Sequence, residues 1–202
     1  MRNDITGIIL CGGKSSRMQT NKALLKLGEK TIIENIVDEM RKVFDSIIIS
    51  ANTCNEFSFL NLPMIKDSYI DRGPLSGIYS ALQFSSTQNN FITTCDLPLI
   101  KSEMIEYIIK TDSEKDIIIP TINSKPERLF GVYKKSVLNI IDEIFTASVQ
   151  DKYIKGSVYD LHQQAEVENV EISNLSIYNE SLFVNMNTPE DYEKVKSIYR
   201  VL

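Results

Sequence analysis

The sequence predicts a single α/β/α three-layer domain over residues 1–202, built on a mostly parallel, Rossmann-like sheet. Three observations predict it. Apolar segments and helical repeats alternate over the first 120 residues, the pattern of successive βαβ crossovers. The first segment, Ile5–Cys11, is apolar almost throughout, as a strand covered by helices on both faces must be. The chain of 202 residues is 43% hydrophobic and 24% charged, enough to bury a sizeable core and ordinary for a globular protein.

Each element has a local reason. Behind Ile5–Cys11, the run Thr31-Ile32-Ile33-Glu34 has the spacing of a capping box, and Ile33, Ile36, Val37, Met40 and Phe44 recur at helical spacing. Ser46–Ser50 and Pro63–Lys66 are short strand segments. Leu75–Phe84 reads as a helix, Phe91–Cys95 as a strand, Ser102–Lys110 as a helix and Asp116–Pro120 as a strand. The second half is less regular. Leu129–Tyr133 is strand-like, Ser136–Phe145 carries apolar residues at helical positions, Val158–Ala165 is helical, and Glu166–Ile172 alternates as a strand does. Thr188-Pro189-Glu190-Asp191 opens a last helix with an N-cap, a first-turn proline and acids set against the helix dipole. There is no repeat, low-complexity tract or linker.

Bulk properties exclude several function classes. A net charge of −5 argues against a general nucleic-acid surface. Cys11, Cys54 and Cys95 are odd in number and lack C-x-x-C spacing, which argues against a disulfide framework or a zinc site. No apolar run reaches the length of a membrane span, and Met1-Arg2-Asn3-Asp4 does not begin a signal peptide. The expectation is a cytoplasmic protein with no membrane or nucleic-acid partner.

The most informative stretch is Ile8–Leu25. An apolar strand runs into Gly12-Gly13, and Lys14, Arg17 and Lys22 follow. Glycine lets backbone N–H groups approach a phosphate, and nearby cations neutralise a polyphosphate. At the carboxyl end of a strand in an α/β sheet, such a loop lies where nucleotides bind. The spacing fits neither a Walker loop nor a Gly-x-Gly-x-x-Gly dinucleotide fingerprint. On this reading Lys22 is an exposed loop lysine.

Further residues fall at the same sheet edge. Asp96 ends an apolar strand, where one carboxylate facing a triphosphate suits Mg²⁺; the competing reading is a turn residue ahead of Pro98. Asn52 and Asp67 end the second and third strands and offer acceptors for a purine or ribose, or else ordinary turn chemistry. Asp71-Arg72-Gly73-Pro74-Leu75-Ser76-Gly77 opens a helix, whose free N–H groups suit an anion or a base edge. Asn185 and Asn187, two apart, would point the same way in an extended segment. His162, the single histidine, has no partner for catalysis and reads as structural.

Together these segments resemble the molybdenum cofactor guanylyltransferase family, MobA-type, within the nucleotidyltransferase superfamily. The resemblance is carried in order by Leu10-Cys11-Gly12-Gly13-Lys14-Ser15-Ser16-Arg17-Met18 with Lys22, by Ser50-Ala51-Asn52, by Asp67 ahead of Gly73-Pro74-Leu75-Ser76-Gly77, by Cys95-Asp96-Leu97-Pro98, and by Asn185-Met186-Asn187-Thr188-Pro189. It implies a nucleotide-diphospho-sugar transferase-like fold, with a nucleotide-binding half over about residues 1–120 and an acceptor-binding half over about 121–202. It implies transfer of GMP from GTP to the phosphate of molybdenum-bound molybdopterin, with Mg²⁺ as cofactor and molybdenum-cofactor insertion proteins as further partners. By carry-over, Leu10, Cys11, Gly12, Gly13, Lys22, Asn52, Asp67 and Asp96 bind the nucleotide, and Asp96 also holds the metal. Lys22 and Asp96 act in catalysis, as does Arg17 on the loop chemistry. Gly73, Pro74, Gly77, Asn185 and Asn187 bind the acceptor. Two departures stand out. Cys11 replaces the family's usual Ala, and Glu127-Arg128 stands after Pro126 where many relatives read Pro-Leu, in a segment expected to face the acceptor. The rival readings are another nucleotidyl transfer, cytidylyl transfer included, to molybdopterin or a sugar or alcohol phosphate, and a non-catalytic nucleotide-binding module.

Overall fold

Every residue of Ile5–Leu10 (β1) is buried, and this strand lies near the middle of the sheet. The computed structural model describes residues 2–12, 21–69, 72–151 and 154–201. The remaining strands, in chain order, are β2 (Lys26–Leu27), β3 (Lys30–Thr31), β4 (Ile47–Ser50), β5 (Met64–Ile65), β6 (Asn89–Thr94), β7 (Ile117–Ile122), β8 (Lys125–Pro126), β9 (Gly131–Lys134) and β10 (Val167–Glu171). The helices are α1 (Ile32–Arg41), α2 (Pro74–Phe84), α3 (Ser102–Ile109), α4 (Val137–Gln150), α5 (Val158–Gln164) and α6 (Pro189–Tyr199).

The main sheet has the order β10-β7-β9-β6-β1-β4-β5, with β8 paired to β7, and β2–β3 form a separate hairpin. β1 pairs in parallel with β4 and β6, β4 with β5, and β10 with β7; β9 runs against both β6 and β7, and β8 against β7. The sheet is therefore mostly parallel, as its sequence pattern requires, with β9 inserted in the opposite sense. Its two faces carry separate apolar layers. One holds Ile36, Val37 and Met40 of α1, Met104 and Ile105 of α3 and Val195 of α6; the other holds Leu75 and Ile78 of α2, Ile141 and Ile144 of α4 and Leu161 of α5.

The helix starts follow their sequence signals. Thr31 and Glu34 form a reciprocal capping box on α1, and Thr188 with Asp191 does the same on α6 behind Pro189. Several bounds differ from the sequence reading. α4 runs on to Gln150, because nothing after Phe145 breaks a helix even though Val149 is exposed. β6 begins at Asn89, because the Asn90 side chain donates to the Thr87 carbonyl and satisfies its buried amide locally. The β2–β3 hairpin and the 3-10 turns at Lys22–Leu24, Cys54–Leu60 and Glu180–Phe183 are too short for periodicity to show.

Candidate active site

After β1 the chain passes to β4 and β5 on one side, then returns through α2 to β6 on the other side of β1. The loops leaving the carboxyl ends of β1 and β6 therefore part, and ligands of open α/β sheets bind in the crevice made there. The ladder continues one step beyond the strands: the Cys11 N–H donates to Ser50 at 2.8 Å, and the Cys95 N–H to Leu10 at 3.2 Å. This places Gly12, Asn52 and Asp96 on one rim.

One cluster on the rim is built on Lys22. Asn21 caps the short turn Lys22–Leu24. From it the Lys22 ammonium reaches Asp96 Oδ1 at 2.5 Å, the Asn187 Oδ1 at 3.1 Å and the Met186 carbonyl at 3.2 Å. The Met186 N–H in turn donates to the Asp96 carbonyl at 2.9 Å. Met186 is buried between the exposed Asn185 and Asn187, the alternation of an extended segment. Lys22 is not the exposed loop lysine expected from its polar surroundings, because its side chain is only 13% exposed and ties the start of α6 to the end of β6.

A second cluster is built on Asp67. Its Oδ2 accepts from Asn52 Nδ2 at 3.0 Å, its N–H donates to Asn52 Oδ1 at 3.1 Å, and Ser50 Oγ donates to its Oδ1 at 3.4 Å. Asn52 thus spends its amide on orienting Asp67, whose carboxylate keeps lone pairs for a ligand. Gly77, expected at the acceptor, lies against this cluster. A Cβ on Gly77 would lie 2.9 Å from Ser50 Oγ, 3.3 Å from Asp67 Oδ1 and 3.4 Å from Leu10. A Cβ on Gly12 would lie 4.0 Å from Asp67 Oδ2, which joins the glycine loop to the same group. Gly73, at φ +60°, makes the turn that Pro74 at the first position of α2 follows, and a Cβ there would meet nothing within 4 Å.

Cys11 and Cys95 flank the rim as free thiols; hydrogen bonding with the Cys95 thiol, then burial, pushes the Cys11 thiol well above its usual range. His162 lies elsewhere, on α5: its Nε2 is 2.8 Å from the Tyr133 hydroxyl, and burial holds its pKa down to about 4. Gly13 and Arg17 of the first loop lie outside the described residues.

Among the described residues no group of three metal-ligating side chains converges. A divalent cation here has one protein carboxylate, Asp96, and would draw its other ligands from phosphate and water. That is the Mg²⁺ mode of binding, so the donor set fits a metal that arrives with a nucleotide.

A strand-end glycine loop, a cation–carboxylate pair and an oriented carboxylate on one sheet edge define a nucleotide-handling α/β enzyme. Residues 7–165 match the family model described as the MobA-like NTP transferase domain. The chain belongs to this family and is a nucleotidyltransferase. It is 35% identical over 198 residues to a Carboxydothermus hydrogenoformans protein named probable molybdenum cofactor guanylyltransferase, covering 97% of each chain. A Flavobacterium johnsoniae protein of the same name is 36% identical over 188 residues, covering 91% of this chain and 97% of the relative. In fold it is similar to the crystal structure of molybdopterin-guanine dinucleotide biosynthesis protein A from Archaeoglobus fulgidus, with a TM-score of 0.80 at 20% identity, over 98% of this chain and 100% of the other. No helix among the described residues is long and apolar enough to cross a membrane.

Proposed function

We propose that this protein transfers GMP from GTP to the phosphate of molybdenum-bound molybdopterin. The single observation that carries this reading is the pairing on one rim of Lys22–Asp96 with the Asn52-oriented Asp67, within reach of Gly12. The names of the relatives supply the guanylyl donor and the molybdopterin acceptor.

An oxygen of the acceptor phosphate attacks the α-phosphorus of GTP, forming a P–O–P bond. The α–β bond breaks, and pyrophosphate leaves with the electron pair. The attacking oxygen is already ionised, so no general base is needed, and catalysis is positioning and charge neutralisation. Lys22 turns from Asp96 to the triphosphate while Asn187 and the Met186 carbonyl keep its ammonium on the rim. Asp67 accepts from the guanine N–H groups, and Asn52 fixes its orientation. Arg17, on its loop chemistry, neutralises the departing pyrophosphate. Asp96 would hold a Mg²⁺ ion, whose positive charge would offset the negative charge that develops on the phosphates. Asn185 and Gly73-Pro74 face the acceptor, which is bound by the half of the chain after about residue 120.

The test is a thermal-shift series with GTP, CTP, ATP and UTP, with and without Mg²⁺, followed by pyrophosphate release in the presence of molybdopterin. GTP with Mg²⁺ is expected to stabilise most. Equal stabilisation or turnover with CTP would overturn the guanylyl reading, and binding with no pyrophosphate release would overturn the transfer reading.

A further inference from the structure

The segment Glu127-Arg128, which departs from the family's pattern, lies on the same sheet edge as Asp96. Ile92 of β6 pairs antiparallel with Gly131 of β9, so the residues just before β9 sit where those just after β6 sit. A turn closed from the Phe130 N–H to the Glu127 carbonyl presents Arg128 there. Tyr133 holds the turn: its hydroxyl donates to the Arg128 carbonyl. That uses its only proton, so His162 Nε2 must donate to the Tyr133 oxygen.

The Arg128 side chain takes no part in that anchor. Its guanidinium stands 5.4 Å above the ring of Tyr159, which is 55% exposed. Among the described residues it makes no salt bridge, and its charge acts on the adjacent Glu127 only through space, opposing the effect of burial on that carboxyl. Its Nε is buried without a hydrogen-bond partner. A cation so placed leaves a charge-assisted donor unused, and its planar fork, stacked on an aromatic face, matches an oxygen-rich anion. The platform adjoins the loop around Gly73: three residues before Tyr159, a Cβ on Gly156 would lie 3.4 Å from Arg72 Nη1.

We propose that Arg128, held over Tyr159, is a specificity-determining residue that binds an anionic, oxygen-rich part of the acceptor other than the phosphate joined to GMP. This rests on the acceptor reading given above. Because the Tyr133 anchor is made to the backbone carbonyl of Arg128, Arg128→Ala removes the ligand contact and leaves that anchor in place.

Calorimetric titration of the whole chain with GTP–Mg²⁺ and, separately, with molybdopterin tests it. Arg128→Ala is expected to raise the Kd for molybdopterin at least about tenfold, about 1.4 kcal/mol, and to change that for GTP less than about twofold. Its melting temperature should not fall. Arg128→Lys should recover only part of the loss, since a point charge cannot replace the fork. Tyr159→Phe should retain binding that Tyr159→Ala weakens. Unchanged molybdopterin affinity in Arg128→Ala overturns this inference alone. A rise in the Kd for GTP, or a fall in melting temperature with equal losses for both ligands, overturns it too, as a triphosphate contact or a structural role. A parent protein that binds GTP but not molybdopterin overturns the acceptor reading and this inference with it.

Discussion

Lys22→Ala removes the one side chain that joins the turn after the glycine loop, the end of β6 and the start of α6. The ammonium makes an ion pair at 2.5 Å and hydrogen bonds at 3.1 and 3.2 Å, with 13% of the Lys22 side chain and 28% of the Asp96 side chain exposed. Both groups are shielded enough for the pair to count. A hydrogen bond to a charged group contributes ~1.5–3 kcal/mol, and three contacts on one ammonium do not add, so the loss is ~2–3 kcal/mol. At ~2–4 °C per kcal/mol for a chain of this size, the melting temperature should fall by ~4–12 °C. Losing a charge-assisted phosphate contact of ~1.5–3 kcal/mol should also weaken GTP binding roughly 10- to 150-fold. Part of the stability loss is the carboxylate left unpaired, so Lys22→Ala should cost less in an Asp96→Asn background, with a coupling of ~0.5–3 kcal/mol. Thermal melts of the four proteins and calorimetric GTP titration measure these effects. A melting temperature within about 1 °C of the parent would refute the structural argument, and an unchanged Kd for GTP would take Lys22 out of the nucleotide site.

Other expectations follow from single contacts. On the proposed function, Asp67→Asn should reduce GTP affinity at least about tenfold and leave ATP affinity unchanged, since guanine's adjacent N1–H and N2–H₂ donors would meet that carboxylate and adenine has no such pair; equal losses for both nucleotides would refute this. Gly77→Ala should push Ser50 and Asp67 apart, because its Cβ would lie 2.9 Å from Ser50 Oγ; nucleotide titration showing parent affinity would refute that packing. Asp96→Asn should abolish most pyrophosphate release yet bind GTP better than the parent in EDTA, where an uncompensated carboxylate repels phosphate; pyrophosphate release at the parent rate would make Asp96 a turn residue. The Ser173 hydroxyl, then the backbone N–H groups of Ser124 and Ser173, hold the Glu171 carboxylate down to about 2. A depressed carboxylate contributes above its unfolded value of 4.5 and loses that contribution as pH falls toward about 2. The stability difference between parent and Glu171→Gln should shrink over that window in acid titrations, and a difference constant with pH would refute it.

Much of the fold could be read from local signals because those signals act locally. The capping boxes at Thr31–Glu34 and Thr188–Asp191 involve residues three apart, and the burial of Ile5–Leu10 follows from its own unbroken apolar run. The direction of β9 is different. A four-residue strand looks the same in either sense, and only its pairing with both β6 and β7 shows it to be antiparallel. The candidate site divides in the same way. The residue types at Gly12, Lys22, Asn52, Asp67 and Asp96 stand out in the sequence, yet their partnerships do not. Lys22 and Asn187 are separated by 165 residues, and no periodicity links them. The placement of Gly77 beside Asp67 depends on how α2 lies across β4, which a Gly-Pro-Leu-Ser-Gly string does not reveal. That the Arg128 Nε lacks a hydrogen-bond partner appears only once the turn before β9 is built.

The resting pair of Lys22 and Asp96 explains why such a site can wait for its substrates without penalty. Alone on the rim, Asp96 would repel a triphosphate, and alone, Lys22 would hold any passing phosphate. Paired, they present little net charge and keep each other partly shielded at 13% and 28% exposure. On the proposed function, a triphosphate arriving with a divalent cation would offer a partner to each: phosphate oxygens for the ammonium and the metal for the carboxylate. Neither charge would then be left unpaired, whereas a nucleotide without metal, or a metal without nucleotide, would satisfy only one side. Because Asn187 and the Met186 carbonyl also hold the Lys22 ammonium, it can leave Asp96 without leaving the rim. On the proposed function the site would favour the metal–nucleotide complex, through Lys22 and Asn187, which the fold brings together across 165 residues.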